Sequence, residues 1–152
     1  MQGKYKVVTL CGSTRFKDDF FRVQKELTLE GNIVISVGLF GHSGDDEVWT
    51  AGTKEMLDDM HLSKIDMADE IFVVNPGGYV GKSTAREISY ALLCGKTVKS
   101  IVPIHLDRYT SKEGFSQKIL DPKTEAERLM AAQWNMSTKV WNRAITNKLM
   151  SG

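Results

Sequence analysis

The chain has 152 residues, the size of one ordinary domain, and is long enough to bury a core without disulfides or a structural metal. Its formal net charge is +1 with acidic and basic residues interspersed, which excludes the electrostatic footprint of a protein that wraps a nucleic-acid backbone. Cys11 and Cys94 are the two cysteines, with no Cys-x-x-Cys and no Cys/His spacing of the zinc type, so reduced thiols in a cytoplasm are expected and no apolar stretch has signal-peptide or transmembrane length.

Residues 6 to 10 (Lys6-Val7-Val8-Thr9-Leu10) form a short β-branched run that stops at Cys11-Gly12-Ser13-Thr14, the pattern of a buried strand entering a tight turn. From Arg15 the apolar positions Phe16, Phe20, Val23 and Leu27 recur at helical spacing until Glu30-Gly31, and Ile33 to Val37 reads as the second strand. The stretch from Gly38 to Thr53, with His42, an acidic cluster and Trp49, is too irregular for an element and too long for a plain connection, a profile common among functional loops.

Lys54 to Ile65 fits a helix, Glu70 to Val74 a third strand broken by Asn75-Pro76-Gly77-Gly78, and Thr84 to Leu93 a helix capped by Gly95. Thr97 to Ile104 reads as a fourth strand with Pro103 near its end. His105 to Leu120 is polar and irregular. Asp121-Pro122 has the form of an N-cap with proline at the first helical position, so Thr124 to Met150 is expected to be a helical tail, broken near Asn135 to Ser137.

The order βαβαβαβ calls for an α/β fold: one domain over residues 1–152, with a doubly wound, three-layer, Rossmann-like or flavodoxin-like parallel sheet of four to five strands. The tail, about residues 121–150, holds Trp134, Trp141, Ile145 and Leu149 and is expected to pack on the domain itself or on a partner subunit.

In such a sheet ligands bind outside the carboxyl ends of the strands, where three turns converge. Gly12-Ser13-Thr14 supplies amides and hydroxyls ahead of a helix, and Arg15 adds a planar fork suited to phosphate oxygens. A capped helix with a surface arginine is the plain alternative. Gly78-Tyr79-Val80-Gly81-Lys82-Ser83-Thr84 resembles a phosphate-binding loop superficially, but its glycines stand too close together, which argues against nucleoside triphosphate hydrolysis. Glu87 follows Thr84 by three residues, so a capping box on the helix opened by Ser83 or Thr84 competes with a catalytic role for Glu87.

Three ordered blocks bear on that choice: Leu10 to Arg15, Lys64 to Glu70, and Gly81 to Ala91 followed by Gly95-Lys96-Thr97-Val98. Together, over about residues 5 to 102, they resemble the nucleoside 2-deoxyribosyltransferase superfamily, and in the Cys-Gly-Ser-x-Arg turn they are most similar to its nucleoside 5′-monophosphate N-glycosidases. The resemblance implies that Glu87 attacks C1′ to form a glycosyl-enzyme intermediate, which water or a second base resolves. It also implies that Gly12, Ser13, Arg15, Ser83 and Gly81 hold the 5′-phosphate, with no cofactor and no metal. A cytoplasmic homodimer or larger homo-oligomer acting on a small nucleotide or nucleoside, with no nucleic-acid polymer and no membrane as partner, is the corresponding expectation.

The chain departs from the family pattern at two places. Gly81 stands where many members carry Asp or Ser, and His61 aligns with an expected Asp, so His61, or Asp58 one turn earlier, becomes the candidate proton donor. An exposed helix histidine is the alternative for His61. In the long loop Phe40 and His42 are candidates to stack on and hydrogen-bond a base, and Tyr79 to close the pocket. The run Asp45-Asp46-Glu47 reads as a solvated face. Three functions follow in order: hydrolysis of a (deoxy)ribonucleoside 5′-monophosphate, base exchange between nucleosides, and a nucleotide-binding sensor without turnover.

Overall fold

A computed structural model describes residues 3–109. The expected C-terminal helical tail and its tryptophans lie outside the described residues.

Four short strands form an all-parallel sheet, β1 (Val7–Gly12), β2 (Ile33–Ile35), β3 (Glu70–Val74) and β4 (Thr97–Ser100), in the order β2-β1-β3-β4, with β1 and β3 buried at the centre and β2 and β4 more exposed at the edges. Three helices connect them: α1 (Lys17–Leu29), α2 (Thr53–Asp66) and α3 (Lys82–Leu93). The register sets Val8 of β1 between Val34 and Glu70, and Ile71 of β3 beside Val98.

Period-two alternation distributes the strand side chains between two cores. Leu10 and Val74 face α1, where they pack with Phe20 and Val23. Cys11, Ile71 and Val73 face the opposite side and pack with Ile65 of α2 and Ile88 and Ala91 of α3. Helices therefore cover both faces, the three-layer arrangement anticipated from the alternation of elements. The chain leaves β1 toward β2 and later returns to the other side of β1 to lay down β3. The carboxyl ends of β1 and β3 thus form the switch point at which open α/β sheets bind ligands.

Element boundaries shift where edge and turn contacts decide them. β2 stops at Ile35 rather than Val37, because the next carbonyl, that of Ser36, accepts from Lys64 Nζ at 2.9 Å. β4 stops at Ser100 rather than Ile104, because Val102 is caught by Asn75 at the end of β3: Val102 N–H donates to Asn75 Oδ1 at 3.0 Å, and Asn75 Nδ2 donates to the Val102 carbonyl at 2.9 Å. α1 begins at Lys17, after a Ser13–Phe16 turn closed by the Phe16 amide on the Ser13 carbonyl at 3.1 Å. The loop from Gly38 onward folds into two short 3-10 turns, Gly41–Ser43 and Asp46–Trp49. Among the described residues no helix is long and apolar enough to cross a membrane.

Candidate functional site

A cavity of about 310 Å³ opens at the switch point, within the size range of small-ligand pockets. Its floor is made possible by Gly12 at the end of β1. A Cβ there would meet the Val74 carbonyl oxygen at 2.6 Å, so only glycine lets β1 and β3 stay paired up to the turn.

Ser13, Thr14 and Arg15 form one wall. The Arg15 guanidinium lies 4.6 Å from the centre of the Tyr79 ring, a cation–π contact that ties the first turn to the third, and Phe16 meets the same ring edge-on at 5.8 Å. Asp18 and Asp19 occupy the first turn of α1 and complement that helix end, so Arg15 carries the positive charge on this wall.

The second wall is the long loop, fastened to the first turn through Thr14. Thr14 Oγ1 is 2.8 Å from His42 Nδ1 and accepts the His42 amide at 3.2 Å, while Ser43 Oγ donates to the Thr14 carbonyl at 2.8 Å. Trp49 packs edge-on against His42 at 5.1 Å, donates its indole N–H to the Gly41 carbonyl at 3.1 Å and lines the cavity. Phe40 does not line it. Its ring is buried, 5.5 Å from Phe20 and 5.6 Å from Phe21, because a side chain this large removes more surface from water over α1 than it could at the rim. The loop aromatic at the cavity is therefore Trp49. Asp45 is used locally, accepting the Phe40 amide at 2.7 Å.

The third wall is the start of α3. Its N-cap is Gly81, in extended backbone, and no side chain caps it. Gly81 and Ser83 line the cavity as expected, and the first-turn amides of Ser83 and Thr84 have no partner within the helix. With Lys82 as the first helical residue, Thr84 lies inside the first turn and Glu87 in the second. The Thr84–Glu87 capping box is thus not formed, which removes that structural reason for the carboxylate at position 87.

Glu87 points inward with 17% of its side chain exposed, and Oε2 stands 3.4 Å from Nε2 of His61. Burial, and then the charge of Asp58, push the Glu87 carboxyl up to about 8, with Lys54 and Lys64 pulling the other way. His61 is buried rather than exposed, and burial, reinforced by Lys64, lowers it to about 4, so the imidazole is neutral at pH 7. The same Nε2 lies 3.4 Å from Sγ of Cys11, whose thiol is raised by burial and by Glu87. Asp58 lines the cavity and is held by Lys54 at 2.8 Å.

Ten of the residues singled out in the sequence thus converge on one crevice: Gly12, Ser13 and Arg15; His42; Asp58 and His61; Tyr79, Gly81, Ser83 and Glu87. Lys54, Lys64 and Trp49 also line it and were not singled out as site residues: the lysines are indistinguishable in sequence from solvated helix charges, and Trp49 is one aromatic of an irregular loop. No family model, no curated protein and no solved structure is significantly similar to this chain. The chemistry of the crevice therefore rests on its own residues.

Proposed function

We propose that the protein cleaves the N-glycosidic bond of a (deoxy)ribonucleoside 5′-monophosphate, with Glu87 as nucleophile. The observation that carries this reading is the inward-facing Glu87 carboxylate, not engaged in helix capping, which borders the same cavity as the Ser13-Thr14-Arg15 turn. The resemblance of the three sequence blocks supports it.

In this scheme the phosphate binds Ser13, Arg15 and the amides of Ser83 and Thr84, while the base lies against Trp49, His42 and Tyr79. The ionised Glu87 carboxylate attacks C1′, the bond from C1′ to the base nitrogen breaks, and its electron pair leaves with the base. Water then cleaves the C1′–O bond, releasing the sugar phosphate and restoring Glu87. His61 serves as a positioning residue, because its neutral Nε2 is turned to Glu87 and Cys11. The charge developing on the departing base is met by Lys54, held by Asp58 on the stretch of α2 that borders the cavity, and the base takes up the proton released by the water that resolves the intermediate. The same reading expects a cytoplasmic homodimer.

Incubation with CMP, dCMP, GMP and dGMP, and separately with a deoxynucleoside plus a free base, tests the assignment. Base release from monophosphates alone supports hydrolysis. Exchange without net hydrolysis makes the protein a transferase instead. A second reading, nucleotide binding without turnover, is favoured by one observation: a carboxyl raised to about 8 is mostly protonated at neutral pH. Monophosphate binding with no base release from pH 6 to 9 selects it.

A further inference from the structure

Three donor atoms of different chemical type meet at the inner end of the cavity. Sγ of Cys11, Nε2 of His61 and a carboxylate oxygen of Glu87 all lie within 4.8 Å of one another. Two of the separations, Cys11 Sγ to His61 Nε2 and His61 Nε2 to Glu87 Oε2, are 3.4 Å. Donors held about 2.0–2.3 Å from a tetrahedral ion stand roughly 3.3–3.8 Å apart, so His61 already has the spacing of a coordination shell to both of its neighbours, and Cys11 and Glu87 stand within 4.8 Å of each other. Each donor comes from a different packed element, β1, α2 and α3, which fixes their mutual positions without a loop.

We propose that Cys11, His61 and Glu87 form a site for a divalent cation of the zinc type, with the fourth coordination position open to the cavity. Sulfur and imidazole donors select such an ion over magnesium or calcium, which require shells of oxygen. On binding, the thiol proton of Cys11 and the carboxyl proton of Glu87 are released to solvent, and thiolate plus carboxylate neutralise the dication, so the buried site carries no net charge. His61 and Glu87 border the cavity while Cys11 lies behind them, so the ion enters from the cavity and is held against the end of β1. A Glu87 oxygen bound to the ion is unavailable for attack at C1′; the bound ion therefore inhibits base release, a consequence that rests on the function proposed above.

The test is titration of the chelator-treated full-length protein with Co(II), followed in the near ultraviolet and the red. One equivalent is expected to bind with a thiolate-to-cobalt charge-transfer band and tetrahedral d–d bands. Cys11→Ser abolishes the charge-transfer band, Cys94→Ser leaves it intact, and Glu87→Gln weakens binding at least about tenfold. Absence of the band from the wild type, or its survival in Cys11→Ser, overturns the site. Base release measured in chelator separates the two claims: release without a cobalt band removes the metal site and keeps the enzyme. A cobalt band without release does the reverse.

Discussion

Nε2 of His61 lies 3.4 Å from Oε2 of Glu87, and burial acts on the two groups in opposite directions. The acid is pushed up to about 8 and the base down to about 4, so at neutral pH both are predominantly uncharged. A neutral pair is the inexpensive way to keep two titratable groups out of water, and the proposed reaction requires Glu87 to ionise first.

The pH–rate profile follows. With Glu87 as the proposed nucleophile only its ionised form attacks, so kcat/KM for a monophosphate is expected to rise tenfold per pH unit below about 8 and to level off above it. Initial rates from pH 6 to 9.5 check this. A rate that falls as pH rises through 8 would assign Glu87 the role of general acid.

Stability carries the same signature with its own sign. The folded pKa of Glu87, about 8, exceeds the usual carboxyl value of 4.5, so between these values the native state binds more protons than the unfolded chain. Stability is therefore lost as pH rises from 4.5 through 8, by at most about 5 kcal/mol. Glu87→Gln removes this loss, and denaturant unfolding is expected to show the variant gaining on wild type at pH 9 but not at pH 5.

The proposed scheme gives Arg15 to the phosphate and not to the base. Arg15→Ala removes charge-assisted hydrogen bonds of about 1.5–3 kcal/mol, so KM for a monophosphate rises by roughly 10–150-fold while the parent nucleoside is unaffected. An equal change for both ligands shows that Arg15 acts through its contact with Tyr79 rather than on phosphate.

Phe40 and Trp49 divide structure from binding. Phe40→Ala is expected to cost about 3–5 kcal/mol of stability, because its ring is enclosed by Phe20 and Phe21, and to leave nucleotide affinity nearly unchanged. Trp49→Ala reverses the pattern, since half of Trp49 is exposed at the cavity. Chemical denaturation and calorimetric titration of the two variants check both halves.

β3 and α3 are legible in the sequence because the central strand is an unbroken apolar run after Glu70 and a helix packed on the sheet keeps a 3.6-residue period. The ends of β2 and β4 were not, since Lys64 and Asn75, 28 and 27 residues away from Ser36 and Val102, decide where those strands stop. Phe40 was placed at the base because loop aromatics have no periodicity to show whether they face core or ligand. The capping-box alternative dissolved with the position of the α3 start, which Gly81 and Lys82 set two residues before Thr84. The Cys11–His61–Glu87 cluster left no trace in local spacing, since Cys11 and His61 are 50 residues apart and meet only through the switch point.

The nucleophilic role of Glu87 is tested most directly by quenching the protein in acid during turnover of a nucleoside monophosphate and mapping covalent adducts by mass spectrometry. The expected result is a sugar-phosphate ester on the peptide carrying Glu87, absent from Glu87→Gln, whose base release falls on the order of 10⁴-fold. Base release that proceeds without such an adduct, and at an undiminished rate in Glu87→Gln, contradicts the account.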